Sequence, residues 1–155
     1  TDDLSVVATD HCPFCDAEKM LGAEDFRQTP NGLGVIEHRM DLLFQGVLQG
    51  EITLQRWVEI CSTTPARLFG LQGKKGAIAP GADADVVIYD PSKEHILGAE
   101  THHMAVDHSA WDGVAVTGQA VSVLSRGQYV IKDRTFVGNE GHGQFLRRKI
   151  PDVLR

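Results

Sequence analysis

The stretch Val6-Val7-Ala8-Thr9-Asp10-His11-Cys12-Pro13-Phe14-Cys15 decides how the chain is read: a β-branched run stops abruptly at a carboxylate, an imidazole and a thiol. Apolar residues at Val6, Val7 and Ala8 without alternation predict a strand buried on both faces, as a parallel sheet requires, and Pro13 forbids its continuation. Asp10 thereby falls at the strand's carboxyl end, where α/β folds gather the side chains of a site. A carboxylate held on a rigid strand end can bind a metal or move a proton; a plain surface aspartate is the alternative.

Working outward, residues 16–21 predict one or two helical turns ended by Gly22 in a left-handed cap. Residues 23–34, with Pro30-Asn31-Gly32 and Gly34, carry the turn chemistry of a loop. A loop this long beside a strand's carboxyl end serves a site, or it is a surface connection with an Asn-Gly turn. Ile36, Met40, Leu43, Phe44 and Val47 then recur at helical intervals up to about Leu48, with Gly50 as the stop. Thr53 caps a second helix with Leu54, Trp57, Val58 and Cys61 inward, and Pro65 opens a third short one that buries Ala66, Leu68 and Phe69.

Past Gly70 the pattern changes. Residues 84–89 read as a strand stopped by Asp90-Pro91. Short strands at 114–117, 120–125, 128–132 and 135–137 are separated by Gly118-Gln119, Arg126-Gly127 and Asp133-Arg134. Such spacing predicts an antiparallel meander, so the expected division is residues 1–72, a strand, loop and helices; 73–137, an all-β region; and 138–155, a C-terminal arm.

Composition narrows the function classes. The 155 residues are 42% hydrophobic and 23% charged, ordinary for a globular chain, and 15 Lys+Arg against 21 Asp+Glu give a formal charge of −6. That balance argues against nucleic acid, whose phosphates need a basic face, and gives little pull toward anionic lipid. No apolar run approaches the roughly 20 residues that span a bilayer, and the start carries no signal-type segment. Three cysteines fit a reducing, cytoplasmic setting better than a disulfide framework.

Three other constellations compete for chemistry. Cys12-Pro13-Phe14-Cys15 has the form of a thioredoxin-like redox motif, but three helices followed by a meander lack the alternation of that fold. His11, Cys12 and Cys15 offer zinc ligands without a fourth partner at a usual spacing. His102-His103, with His95 and His108, suggests a metal cluster, although adjacent histidines in a strand face opposite ways.

Taken together, Thr9-Asp10-His11-Cys12-Pro13-Phe14, Asp25-Phe26, Pro30-Asn31-Gly32, Glu37-x-Arg39-Met40, Ser62-Thr63, Ala66-x-Leu68-Phe69-Gly70-Leu71, Lys74-Lys75-Gly76, Gly81-Ala82-Asp83-Ala84-Asp85, Glu100-Thr101-His102-His103-Met104-Ala105-Val106-Asp107 and Phe136-Val137-Gly138 resemble the dihydropyrimidinase and D-hydantoinase family of amidohydrolases. The resemblance covers nearly the whole chain. It implies an α/β fold: the C-terminal part of a (β/α)8 metallo-dependent hydrolase barrel, followed by part of a β-sandwich. It also implies a binuclear zinc centre and a small cyclic diamide as substrate. Asp10 matches the family's strand-end aspartate, a metal ligand and catalytic proton carrier. Asn31 matches the loop residue whose backbone binds the substrate ring, with Pro30 and Gly32 shaping that loop. The chemistry agrees, since paired zinc ions acidify water and polarise an amide, and a neighbouring base must shuttle the proton. His11 matches no family ligand and at most supports one.

The departures matter equally. The family's His-x-His pair, carbamylated lysine and further histidine ligands have no counterpart here, so the chain alone is expected not to hold the metal pair. The expectation is a fragment, inactive alone, of a longer enzyme; the resemblance adds a homotetramer whose arm, near residues 141–148, lies against neighbouring subunits. Two rivals share the resemblance. The non-catalytic collapsin response mediator proteins lack the strand-end Asp and loop Asn that this chain keeps. Allantoinase and dihydroorotase would share the metal chemistry.

Overall fold

The computed structural model describes residues 3–151; Thr1 and Asp2, and the last four residues of the expected arm, lie outside the described part. A helical half comes first. Helix α1, Asp16–Lys19, is a single turn whose opening N–H, that of Cys15, is met by Glu18 (Cys15 N to Glu18 Oε2 2.8 Å), and it runs on into the 3₁₀ turn Met20–Gly22. Gly22 is not left-handed, contrary to the expected cap. A glycine is needed there because a Cβ would overlap the side chain of Thr29.

Helix α2, Arg39–Leu48, follows the predicted stripe, and Gly50 beyond it takes φ +75°. Thr53 caps α3, Leu54–Val58, by accepting from Arg56 N at 3.1 Å. The expected second and third helices are one run, because the π turn Glu59–Thr63 joins α3 to α4, Thr64–Leu68. Pro65 has no N–H to return to the carbonyl four residues back, and a local widening accommodates the missing bond without breaking the helix.

The second half is a four-stranded antiparallel meander in the order β1-β2-β3-β4: Val86–Ile96, Ala115–Ser125, Gln128–Lys132 and Thr135–Phe136. Its tight turns are as predicted. Arg126 and Gly127 (φ +49° and +77°), then Asp133 and Arg134 (+48° and +64°), place two left-handed residues between strands, the twist-matched hairpin geometry. Two expected stops are passed through. Asp90-Pro91 does not end β1: the register shifts between Asp90 and Glu94, and the strand continues along the edge of the sheet, where a proline's missing N–H breaks no ladder. Nor does Gly118-Gln119 divide β2. Gly118, at φ +99°, sits in the same irregularity, where a Cβ would collide with the Phe44 ring and the Tyr89 hydroxyl.

The halves meet on an aromatic cluster. Phe44 of α2, Trp57 of α3 and Tyr89 of β1 pack ring to ring at 5.0–5.2 Å, and Phe44 and Trp57 are 4% and 6% exposed. A buried polar tie lies beside it: Tyr89 donates to Asp41 Oδ1 at 2.9 Å and His95 Nε2 lies 3.3 Å from Asp41 Oδ2. Gln45, one turn along α2, binds both Thr117 O (2.9 Å) and Thr117 N (3.2 Å) on β2.

The opening strand is a correction. Residues 6–9 form no ladder; Val6 and Val7 are half-buried and Ala8 is exposed. Val7 N–H reaches Ile60 O at 3.4 Å and Val7 O accepts from Arg39 at 2.9 Å. A parallel strand is defined by neighbours of its own kind, and for this opening segment the described residues supply only the bridge between His11 and Leu33.

Candidate functional site

Asp10 leaves the opening segment at φ +47°, a left-handed conformation that aspartate tolerates better than most residues. Its carboxylate is exposed, and no described residue hydrogen-bonds or pairs with it. Directly after it the chain is tied to the loop. His11 bridges Leu33 in parallel, and Cys12 N–H donates to Leu33 O at 3.2 Å. The His11 ring turns inward, its Nδ1 accepting from the N–H groups of Val35 (3.2 Å) and Ile36 (3.3 Å), which leaves the ring proton on Nε2.

The Pro30-Asn31-Gly32 turn is held from both sides. Gly32, at φ +126°, lies so close to Cys12 that a Cβ would overlap the Cys12 carbonyl and come within 2.6 Å of its Cβ. From the other side Lys19 Nζ donates to the carbonyls of Pro30 and Gly32 (2.7 Å for the latter) and sits 5.2 Å from the Phe14 ring centre. Asn31 itself is exposed, and no described group hydrogen-bonds its backbone or its side-chain amide. The bridge joins the two segments with Asp10 one residue before His11 and Asn31 two residues before Leu33.

The remaining candidates separate. Cys12, Cys15 and Cys61 are free thiols, and the Cys15 side chain accepts at the start of α1. The histidines go to different partners: His95 to Asp41, His103 to Glu37 (Nδ1 to Oε1 2.8 Å), and His102 Nδ1 to Met104 N (3.1 Å). Burial holds the His38 imidazole below its usual range, with His102 beside it acting the same way. His108 joins Asp16 and Asp107, each at 3.2 Å, in the one group of three possible ligands among the described residues. It is a solvent-facing tie between α1 and the segment before β2. The Asp16 N–H, followed by His108, holds the Asp107 carboxyl below the ordinary carboxylate range.

A metal pair does not fit this donor set. Asp10 is a single carboxylate with no imidazole or thiolate joined to it, and the Asp16, Asp107 and His108 atoms are spent on one another. An apolar hollow of about 530 Å³ lies elsewhere, between the α3–α4 run and the start of β1, lined by Trp57, Cys61, Ala66, Val86 and Tyr89 among others. Neither Asp10 nor the Asn31 turn borders it. The sequence offers one signal for Lys19, a cation about two helical turns downstream of Asp10. It offers no partner for His11.

The amidohydrolase family profile matches residues 2–130. D-hydantoinase of Streptomyces coelicolor is 55% identical over 149 residues, which are 96% of this chain and 32% of that protein. D-hydantoinase of Geobacillus stearothermophilus is 51% identical over 147 residues, 94% of this chain and 31% of the relative. The crystal structure of dihydropyrimidinase from Brevibacillus agri NCHU1002 superposes with a TM-score of 0.92 at 46% identity, over 95% of this chain and 32% of that one. The chain thus spans about a third of the length of the curated relatives it matches.

Proposed function

Because the chain belongs to the amidohydrolase family, a family of metal-dependent hydrolases, we propose that it forms one part of an enzyme that opens the cyclic amide of dihydropyrimidines or hydantoins, yielding products of the N-carbamoyl-β-alanine type from 5,6-dihydrouracil. The observation that supports this reading most is the pairing of two unpartnered polar groups, Asp10 and Asn31, on adjoining backbone segments tied by the His11–Leu33 bridge. In this reading the Asn31 backbone, shaped by Pro30 and Gly32, hydrogen-bonds the ring's amide edge, and the exposed Asp10 carboxylate takes the proton of the attacking water and returns it to the leaving nitrogen. The family's metal, in our proposal zinc with Asp10 as one ligand, would be completed by residues outside this chain. The chain alone is then inactive.

The remaining parts of the reading follow the same resemblance. The full-length protein acts in pyrimidine breakdown in the cytoplasm, as a homotetramer. Its arm would meet a neighbouring subunit through side chains such as Phe145, which is 89% exposed, while the arm's backbone is anchored at home by Lys149 N–H on Gly70 O (2.9 Å). Among the described residues no helix is long and apolar enough to cross a membrane.

The test is a substrate panel on the full-length hydrolase: dihydrouracil, hydantoin, allantoin and dihydroorotate, each with wild type and Asp10→Asn. Ring opening of dihydrouracil or hydantoin, abolished in Asp10→Asn with the fold retained, is expected. Turnover of allantoin or dihydroorotate alone reassigns the substrate, and wild-type rates in Asp10→Asn remove Asp10 from the chemistry.

A further inference from the structure

The half-buried Lys19 ammonium has no carboxylate partner among the described residues. It spends its charge on two neutral carbonyls and a ring face, and those carbonyls belong to Pro30 and Gly32, the residues on either side of Asn31. An ammonium placed this way does two things to the residue between. Charge-assisted bonds at both flanks fix the turn more firmly than neutral donors would. Moreover the Pro30 carbonyl and the Asn31 N–H belong to one peptide group, so a cation on that oxygen polarises the N–H and makes it a stronger donor. Asn31, unpartnered and exposed, is left with its own polar groups for a ligand.

We propose that Lys19 is a positioning residue for ring recognition, holding the carbonyls of Pro30 and Gly32 so that the Asn31 backbone is presented, and its N–H strengthened, toward the amide edge of a cyclic diamide. This rests on the reading of the Asn31 turn as the substrate loop. Lys19 touches neither substrate nor metal, so its effect falls on binding of the ring more than on the chemical step. Nothing in the local sequence requires a lysine there: α1 ends at Lys19, and its Nζ makes no bond within the helix.

The test uses the full-length hydrolase with Lys19→Met, which keeps the stem and removes the charge, and Lys19→Arg, which keeps charge and donors. Steady-state kinetics on dihydrouracil and hydantoin are combined with amide hydrogen exchange over residues 29–35. For Lys19→Met we expect KM to rise about tenfold with kcat changed far less, and exchange in 29–35 to quicken while α2 and the sheet keep wild-type protection. Lys19→Arg is expected to recover most of the KM. Unchanged KM in Lys19→Met overturns the proposal, whether exchange is unchanged or faster; in the latter case Lys19 is only a structural tie. If the wild-type enzyme opens neither ring, the substrate reading has failed, and unaltered exchange in Lys19→Met would overturn the clamp separately.

Discussion

Replacing Gly32 by alanine tests whether the loop's place beside Asp10 matters. At φ +126° an L side chain is strained, which costs about 1–3 kcal/mol. The new methyl would also lie 2.6 Å from Cys12 Cβ and still closer to the Cys12 carbonyl oxygen, whereas ordinary contact begins at 3.4 Å, so the two segments must part by more than about 0.8 Å, the shortfall at Cβ alone. That displacement falls on the Cys12–Leu33 hydrogen bond and the His11–Leu33 bridge, which register Asn31 against Asp10. A misplacement near 1 Å can lower turnover by about a hundredfold. The expected result in the full-length hydrolase is therefore a fall of about that size in kcat/KM for dihydrouracil or hydantoin. The same strain should lower the thermal midpoint by a few degrees, since 1 kcal/mol is worth about 2–4 °C in chains of this size. Wild-type kcat/KM in Gly32→Ala would refute the claim that the turn and Asp10 act as a pair.

Two further outcomes concern the tie between helices and sheet. Tyr89→Phe removes the donor to buried Asp41, and loss of a hydrogen bond to a charged group costs about 1.5–3 kcal/mol at neutral pH. Burial raises the Asp41 pKa, and the Tyr89 hydroxyl opposes that rise. A raised folded-state pKa means protonation favours the fold, a contribution complete below the unfolded value near 3.9 and lost as pH climbs through the folded value. The deficit of Tyr89→Phe should therefore shrink as pH falls toward about 4, and urea midpoints showing a constant deficit from pH 7 to pH 4 would contradict this. Phe44→Ala empties the centre of the Trp57–Tyr89 cluster and should cost about 3–5 kcal/mol in denaturant unfolding, with a much smaller loss pointing to collapse of the sheet onto the helix.

What the sequence by itself determined is whatever short-range chemistry specifies. The stripe of Met40, Leu43, Phe44 and Val47 writes α2, Thr53 marks the start of α3, and Arg126-Gly127 and Asp133-Arg134 write the meander's turns. Each is fixed by periodicity or by dihedral preference within a few residues. Motif resemblance added the family and pointed to Asp10 and Asn31. Tertiary structure decided what depends on distant partners. Residues 6–9 form no ladder because pairing is a property of neighbouring backbones, and the strand-like composition of one segment cannot create them. Asp90-Pro91 and Gly118-Gln119 look like stops one at a time and become a matched irregularity only when β1 and β2 lie side by side under Phe44. Lys19 reads as a surface cation until the chain folds the carbonyls of Pro30 and Gly32 onto it, and His11 as a spare ligand until Val35 and Ile36 point their N–H groups at its ring. Hydrogen bonds of that kind join residues 11–25 positions apart in sequence, a separation over which local pattern carries no geometric information.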